Sequence, residues 1–105
     1  MSMKISALVK DPGRVPRHVW ISNSLEALQK AVEGYIETVT LATDLVVICN
    51  EEGRLMGLEP NCNICGYDFV GTIIMVGTDG EDFTDLPADW KTMKLLFPQL
   101  WEVKQ

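Results

Sequence analysis

The sequence predicts a single α+β domain over residues 1–105, with a largely antiparallel sheet of about five or six strands and two helices packed against it. Three observations lead to this prediction. Strand-like segments follow one another through short turns, an amphipathic helix interrupts them early in the chain, and a second helical pattern lies near the end. A chain of 105 residues, 47% of them hydrophobic, can bury one real core.

The chain begins with a predicted hairpin. Segment 4–10, KISALVK, alternates apolar and polar residues, which is typical of a half-buried strand. Segment 11–14, DPGR, has the Pro-Gly order of a type II turn. Segment 17–21, RHVWI, is then the returning strand, with His18 and Trp20 on the same face.

A helix is predicted next. Either Asn23 or Ser24 can cap its N-terminus, and Gly34 is a natural stop. The spacing of three apolar residues predicts the buried stripe of this helix: Leu25, Leu28 and Val32.

Strands return after the helix. Segments 35–41 and 44–49 are both strand-like, and the unbroken apolar run in the second predicts a central strand covered on both faces. Residues 50–53, NEEG, predict a tight reversal, and 54–58 a short strand that pairs back. The next strongly apolar strand is predicted at 67–77, also in the middle of the sheet, with an irregularity at Gly71.

The last part of the chain predicts an acidic connector and a second helix. The connector spans 78–87, with one helical turn at 81–84. The helix runs from about Pro87 to Pro98, which ends it, and the remaining residues predict a tail or a short edge strand. Three of its side chains are expected to point inward: Trp90, Met93 and Phe97.

Charge is distributed unevenly. The net charge is −6, and residues 55–90 contain seven acids and no Lys, Arg or His. Because nucleic-acid binding relies on clustered Lys and Arg, we expect no direct nucleic-acid binding. We interpret the acidic segment 55–90 as a solvated face. Imitation of nucleic acid is a less favoured interpretation. No apolar run approaches the ~20 residues of a membrane span, and no signal peptide is recognisable, so we expect a cytoplasmic protein without membrane contact.

The sequence EPNCNICGYD, at 59–68, contains a C-x-x-C pair. A structural zinc site needs four ligands, and the chain offers only Cys62, Cys65, the distant Cys49 and His18. A redox pair normally precedes a helix, whereas a strand follows here. We therefore interpret the pair as small, half-buried thiols in a loop and expect no metal and no cofactor. A domain stabilised by zinc through Cys62 and Cys65 stays as an alternative.

Three segments resemble a known family. They are SLEALQKAVEGYIETVTL (24–41), DLVVICNEEGRLMGLEPN (44–61) and YDFVGTIIMVGTDGEDFTDL (67–86). They are similar to a family of bacterial and phage proteins classified as domain of unknown function 3846. The resemblance implies a small cytoplasmic accessory protein of phages or mobile elements and no catalytic residues. In this family an Arg and a longer polar loop typically follow the Pro-Asn element, whereas this chain has Cys62 there.

No catalytic motif stands out in the sequence. His18 is the only histidine, so any Ser-His or Cys-His pair must use it, and a lone His beside Trp20 on a strand is more typical of packing. We therefore expect a non-enzymatic binding or inhibitory module for a protein or small ligand, with a small enzyme as the alternative. Among the tryptophans, we expect Trp90 in the core and Trp101 exposed or in a homodimer contact.

The candidate ligand or partner surface is the end of the sheet around 60–68. Polar groups on a loop between two rigid strands are a common arrangement for binding. Asn61 and Asp68 flank the cysteines, Tyr67 supplies an amphipathic ring, and Thr72 follows at the next strand. The competing interpretation is that Asn61 and Asp68 only bond the backbone of their own turn.

Overall fold

The computed structural model describes residues 3–103, and it confirms the predicted α+β class. A six-stranded sheet, a separate two-stranded sheet and two helices make up the fold. Residues 1–2 and 104–105, which include the end of the predicted tail, lie outside the described part of the chain. In chain order the elements are β1 (Lys4–Lys10), β2 (Arg17–Ser22), α1 (Leu25–Val32), β3 (Ile36–Ala42), β4 (Leu45–Asn50), β5 (Pro60–Ile64), β6 (Tyr67–Val70), β7 (Ile73–Thr78), β8 (Phe83–Thr84), α2 (Trp90–Leu96) and a 3-10 helix (Pro98–Trp101).

The main sheet has the strand order β2-β1-β7-β4-β3, and β8 pairs with β7. Every pairing in it is antiparallel. As the apolar runs predicted, β4 and β7 lie inside the sheet. All six residues of β4 are buried, and so are the first five of β7. Such runs form when both faces of a strand are covered.

The two faces of the sheet are covered by different elements. Helix α1 covers one face, where Leu28 and Val32 pack against alternate side chains of β1, β4 and β7. The opposite face is covered by two pieces. One is the β5–β6 hairpin with Ile64 and Phe69, and the other is the C-terminal segment with Met93 and Leu100. No helix within 3–103 has the length and apolar character that crossing a membrane requires.

The first hairpin and its turn are as predicted. The Arg14 backbone N–H donates to the Asp11 carbonyl at 3.1 Å, and Gly13 has a φ of 75°, as position three of a type II turn requires. Ser24 caps helix α1 by accepting from the Ala27 N–H at 3.2 Å. Asn23, the other candidate cap, instead donates to the Phe83 carbonyl at 3.0 Å.

Two details predicted for α1 are wrong. Leu25 is not part of the buried stripe, because it sits at the first helical position and is 60% exposed. The left-handed residue that ends the helix is Glu33, with a φ of 64°, and not Gly34. Gly34 is required for a different reason. A Cβ there would lie 2.7 Å from Nδ2 of Asn50, which reaches the last turn of the helix.

The predicted strand at 54–58 is wrong. The chain makes consecutive helical turns there, in which the Met56 N–H donates to the Glu52 carbonyl and the Leu58 N–H to the Gly53 carbonyl. Gly57, with a φ of 69°, supports this local winding. We call residues 51–57 the charged turn. Local hydrogen bonds therefore replace the strand pairing that the short apolar pattern suggested.

The cysteine segment is not a loop but a hairpin, which corrects the prediction. Strands β5 and β6 pair antiparallel, and the turn between them consists of Cys65 and Gly66, with φ values of 51° and 88°. Two positive φ values are what a tight type I′ hairpin turn needs. The predicted single strand 67–77 breaks at Gly71, where φ is 72° and the backbone N–H donates to the Glu59 carbonyl.

The C-terminal segment also differs from the prediction. Residues 81–84 form no helical turn, because Phe83 and Thr84 pair with β7 as the short strand β8. Helix α2 begins at Trp90, and the one fully buried side chain of the expected stripe is Met93. Phe97 is partly buried, and Trp90 is 46% exposed.

The chain after α2 folds back over the sheet. It forms a 3-10 helix rather than a tail or an edge strand, and it buries Leu100. This turn also packs Trp101 against the core cluster. The expected roles of Trp90 and Trp101 are therefore reversed.

Substitution of Ile73 or Ile74 tests whether both faces of the sheet are covered. Both are fully buried, and they belong to the clusters on opposite faces. We expect Ile73→Ala and Ile74→Ala each to lower the free energy of unfolding by about 2–5 kcal/mol in urea melts. Leu95→Ala, at a site 83% exposed, is the control and should change it by less than ~0.5 kcal/mol. A near-neutral result for either isoleucine would contradict the coverage of that face.

Candidate functional site

Asn61 anchors the β5–β6 hairpin to the main sheet. Its Nδ2 donates to the carbonyls of Lys10, at 2.8 Å, and Gly71, at 2.7 Å. Its Oδ1 accepts from Nζ of Lys10 at 2.8 Å. Lys10 is 4% exposed, so this ammonium depends on protein partners rather than on water. Asn61 therefore ties β5 to the end of β1 and to the start of β7.

Thr72 makes a different contact. Its hydroxyl donates to Oδ1 of Asp11 at 2.7 Å, and the other oxygen of Asp11 lies 3.6 Å from the Arg17 guanidinium. Asp11 belongs to the turn between β1 and β2, and Arg17 is the first residue of β2. Thr72 thus fixes the first hairpin turn against β7.

Asn50 orders the beginning of the charged turn. Its Nδ2 donates to the Val32 carbonyl at the end of α1, at 3.0 Å, and its Oδ1 accepts from the Glu52 N–H at 2.8 Å. The side chain is almost completely buried. The charged turn therefore starts from a fixed position, because Asn50 bonds both to the helix and to the turn.

A cleft lies between the charged turn and β6, and we call it the hairpin cleft. Its volume is about 230 Å³. Its rim includes Tyr67, which is 53% exposed, and Arg54, whose Nη2 donates to the Asp68 carbonyl at 2.8 Å. The cleft is lined by Glu37, Val39, Cys49, Asn50, Glu51, Glu52, Gly53, Arg54, Leu55, Tyr67, Asp68, Phe69 and Val70.

A second cleft, of about 430 Å³, shares four lining residues with the hairpin cleft and is here called the outer cleft. It extends along β5, where Asn61 and Cys62 line it. Asp68 contributes to both clefts, and its Oδ1 accepts from Nδ2 of Asn63 at 2.8 Å. The shared residues are Arg54, Asp68, Phe69 and Val70.

The charges of the hairpin cleft are mixed but mainly negative. Of the residues that the structure describes, four carboxylates line it, and Arg54 is the one cation that does. Within 3–103, no carboxylate lies within ion-pairing distance of the Arg54 guanidinium, which bonds a backbone carbonyl instead. The carboxylates are those of Glu37, Glu51, Glu52 and Asp68. The cleft therefore favours a ligand that donates hydrogen bonds or carries positive charge.

The cysteines lie at three different depths. Cys49 is buried on β4, Cys62 is partly buried on β5, and Cys65 is exposed at the hairpin turn, all as free thiols. Burial and, secondarily, the nearby Glu37 carboxylate raise the pKa of Cys49 to about 11. Burial also raises the pKa of Cys62, and the positive charge of Lys10 partly opposes this rise. Among residues 3–103, no three His, Cys, Asp or Glu side chains cluster as metal ligands.

His18 contacts a serine on the neighbouring strand. Its Nε2 lies 2.8 Å from the Ser6 hydroxyl oxygen, so the two form a cross-strand hydrogen bond. A hydrolytic triad would need a carboxylate on the other ring nitrogen. Asp85, the acid next to this pair, instead accepts from the Ser6 backbone N–H at 2.7 Å. The geometry is that of an ordinary polar contact on the surface.

The structure brings together only part of the predicted surface. Tyr67 and Asp68 line the hairpin cleft, Asn61 and Asp68 line the outer cleft, and Thr72 lies apart at the first hairpin turn. Arg54 was not among the residues predicted for this surface from the sequence. The run NEEGR, four polar or charged residues around one glycine directly after a buried strand, is the signal that could have indicated the cleft.

The fold and clefts define a small α+β domain with a two-faced antiparallel sheet and open surface clefts. The chain matches the family model described as Domain of unknown function (DUF3846) over residues 3–97. It therefore belongs to this family, and the family resemblance drawn from the sequence is confirmed. Neither the curated proteins nor the solved structures contain a match to the chain.

Thiol modification tests the three cysteine environments. With a pKa of about 11, Cys49 is only ~0.1% thiolate at pH 8, and the thiolate is the reactive form. We expect iodoacetamide to modify Cys65 first and Cys49 last, with mass spectrometry of peptides as the readout. The Cys49 rate should rise about tenfold per pH unit from pH 7 to 9, because the thiolate fraction does.

The urea-unfolded chain is the control for this measurement, and there the three cysteines should react at similar rates. If Cys49 and Cys65 react equally fast in the folded protein at pH 7.5, the buried position of Cys49 is contradicted.

Proposed function

We propose that this protein is a non-enzymatic binding module, and that the hairpin cleft holds a small ligand or a segment of a protein partner. The observation that carries this proposal is the cleft itself. Two side chains suited to recognition, Tyr67 and Arg54, are exposed beside a concave surface of about 230 Å³. Aromatic and Arg side chains are enriched among residues that dominate binding energies.

Both walls of the cleft are held in place by polar side chains, of which Asn50 is buried and Asn61 is partly buried. Asn50 bonds the charged turn to α1, and Asn61 bonds the hairpin to β1 and β7. A binding site gains affinity when its walls are ordered before the ligand arrives, because less conformational entropy is then lost. In this proposal Tyr67 and Asp68 contact the ligand, whereas Asn61 and Thr72 position the strands that carry the site.

The chemistry of the lining indicates the class of ligand. The apolar part is formed by Tyr67, Phe69 and Val70, and the carboxylates of the rim surround it. A small ligand with an amine or guanidinium group and an apolar body fits both features. Arg54 adds a donor for one acceptor group on the same ligand.

The alternative, a small enzyme, is less favoured by the geometry. In the described part of the chain no carboxylate orients the Ser6–His18 pair, and burial raises the pKa of both Cys49 and Cys62 instead of activating their thiols. We extend the proposal to a cytoplasmic accessory protein of a phage or mobile element. This context rests on the resemblance drawn from the sequence, and the acidic charge disfavours direct nucleic-acid binding.

A fragment screen by ¹⁵N NMR tests the proposal. We expect bound fragments to shift the amide signals of residues 50–55 and 67–70, with amines and guanidines enriched among the hits. Tyr67→Ala should weaken those hits about tenfold or more, because a buried aromatic contact contributes ~1.5 kcal/mol or more. Tyr35→Ala, at a tyrosine that is also exposed but does not line the cleft, should leave affinity within twofold.

Two results would contradict the proposal. If hits shift amides elsewhere and ignore both regions, the hairpin cleft is not the binding surface. If the proton spectrum of a bound fragment shows conversion to a product over hours, the protein is an enzyme and the non-enzymatic assignment is wrong.

A further inference from the structure

All three tryptophans and the only histidine line two adjoining clefts on the side of the sheet opposite α1. The clefts have volumes of about 480 and 240 Å³ and share His18 and Trp90. They lie between the β1–β2 edge and the C-terminal segment, away from the hairpin cleft. We call this surface the tryptophan groove and define it by Trp20, Trp90, Trp101, His18, Asp85 and Asp89.

Two of these indole rings are exposed to an unusual degree. Trp20 is 60% exposed and Trp90 is 46% exposed. The His18 ring packs edge-on against Trp20, with 5.7 Å between ring centroids, so a neighbour restrains this exposed indole. Large apolar side chains grouped in a concave surface are typical of interaction sites, because their burial by a partner removes them from water.

The charge of the tryptophan groove is negative. Asp85 accepts from the Ser6 backbone N–H at 2.7 Å, and Asp89 accepts from the Thr92 backbone N–H at 2.8 Å. One oxygen of each carboxylate accepts the backbone hydrogen bond that holds the side chain in place. The other oxygen does not take part in that bond. The bond from Thr92 lowers the pKa of Asp89, so this group is ionised at neutral pH. Among residues 3–103, no Lys or Arg lines the groove.

A cation already lies beside one of the rings. The ammonium of Lys91 is 5.8 Å from the centroid of the Trp90 ring, within the range of a cation–π interaction. Trp is the side chain that binds cations most strongly in this way. The ring of Trp90 is thus placed where a positive charge can approach it from solvent.

We propose that the tryptophan groove docks a basic segment of a partner protein, with an Arg or Lys side chain of that segment against the indole rings. Asp85 and Asp89 would pair with the same cation or its neighbour, and charge complementarity selects the partner. This inference concerns a surface separate from the hairpin cleft and does not depend on the function proposed for it. A nucleic acid is disfavoured as the occupant, because its phosphates would meet both carboxylates.

The probe for this test is a synthetic nine-residue peptide with three arginines separated by Gly and Ser. Its matched control is the same peptide with citrulline in place of arginine, which keeps the shape and removes the charge. We expect saturable binding of the arginine peptide, followed by tryptophan fluorescence and by the indole N–H signals of Trp20 and Trp90 in NMR spectra. The citrulline peptide should bind at least tenfold more weakly.

Two sets of variants locate the binding. Trp90→Ala should weaken the arginine peptide about five- to thirtyfold through loss of a cation–π contact. The double variant Asp85→Asn, Asp89→Asn keeps an acceptor oxygen for each backbone N–H, so it removes charge without removing the hydrogen bonds. It should weaken binding about tenfold or more.

Two further variants test the effect of charge outside the groove and beside Trp90. Glu33→Gln with Glu59→Gln makes the same change in net charge at exposed residues that do not line the groove, and affinity should stay within twofold. Lys91→Gln removes a competing cation from Trp90, and affinity for the arginine peptide should rise.

Several results would overturn the inference. Equal binding of the arginine and citrulline peptides would exclude charge recognition. Equal weakening by the groove double variant and the control double variant would show that binding reflects only net charge. Sedimentation that shows a dimer lost in Trp90→Ala would assign the groove to a second copy of the chain instead.

Discussion

The sheet of this protein has two apolar faces, and both must be covered for the chain to fold. The middle strands β4 and β7 are buried from end to end except for the last residue of β7, so neither face can be left to water. One helix, α1, is sufficient for the first face. The opposite face is covered in two pieces, the β5–β6 hairpin and the C-terminal segment, which both contribute to one core cluster.

Covering one face with two separate pieces leaves clefts at their margins. The hairpin cleft forms where the hairpin meets the charged turn and β3, and the tryptophan groove forms where the C-terminal segment meets β1 and β2. Partly buried polar contacts fix the hairpin margin, above all the bonds of Asn61 to Lys10 and Gly71. The surfaces that we propose for binding are therefore direct products of how the core is closed.

The sequence was sufficient to predict an element of the fold where periodicity and turn chemistry agree. The apolar runs identified β4 and β7, the DPGR turn identified the first hairpin, and the candidate caps Asn23 and Ser24 located the start of α1. It was insufficient where a contact between distant residues determines the local structure. The break at Gly71 depends on a bond to Glu59, and the burial of Leu100 depends on the chain after α2 folding back over the sheet. Of the candidate site, Tyr67 and Asp68 could be placed from their position between strands. Arg54 was not placed, because residues 54–58 were predicted as a strand, although the run NEEGR carries a signal for the cleft.

The most direct test of this account is hydrogen exchange of Asn61→Ala. The substitution leaves the carbonyls of Lys10 and Gly71 and the ammonium of Lys10 without their partner, at a cost of about 1–3 kcal/mol. We expect faster exchange for amides of β5 and β6 and little change in β4 and α1, and a smaller effect from Asn63→Ala, whose bonds stay within the hairpin. Equal acceleration in every strand, or none in the hairpin, would contradict the claim that Asn61 fastens a separate cover onto the sheet.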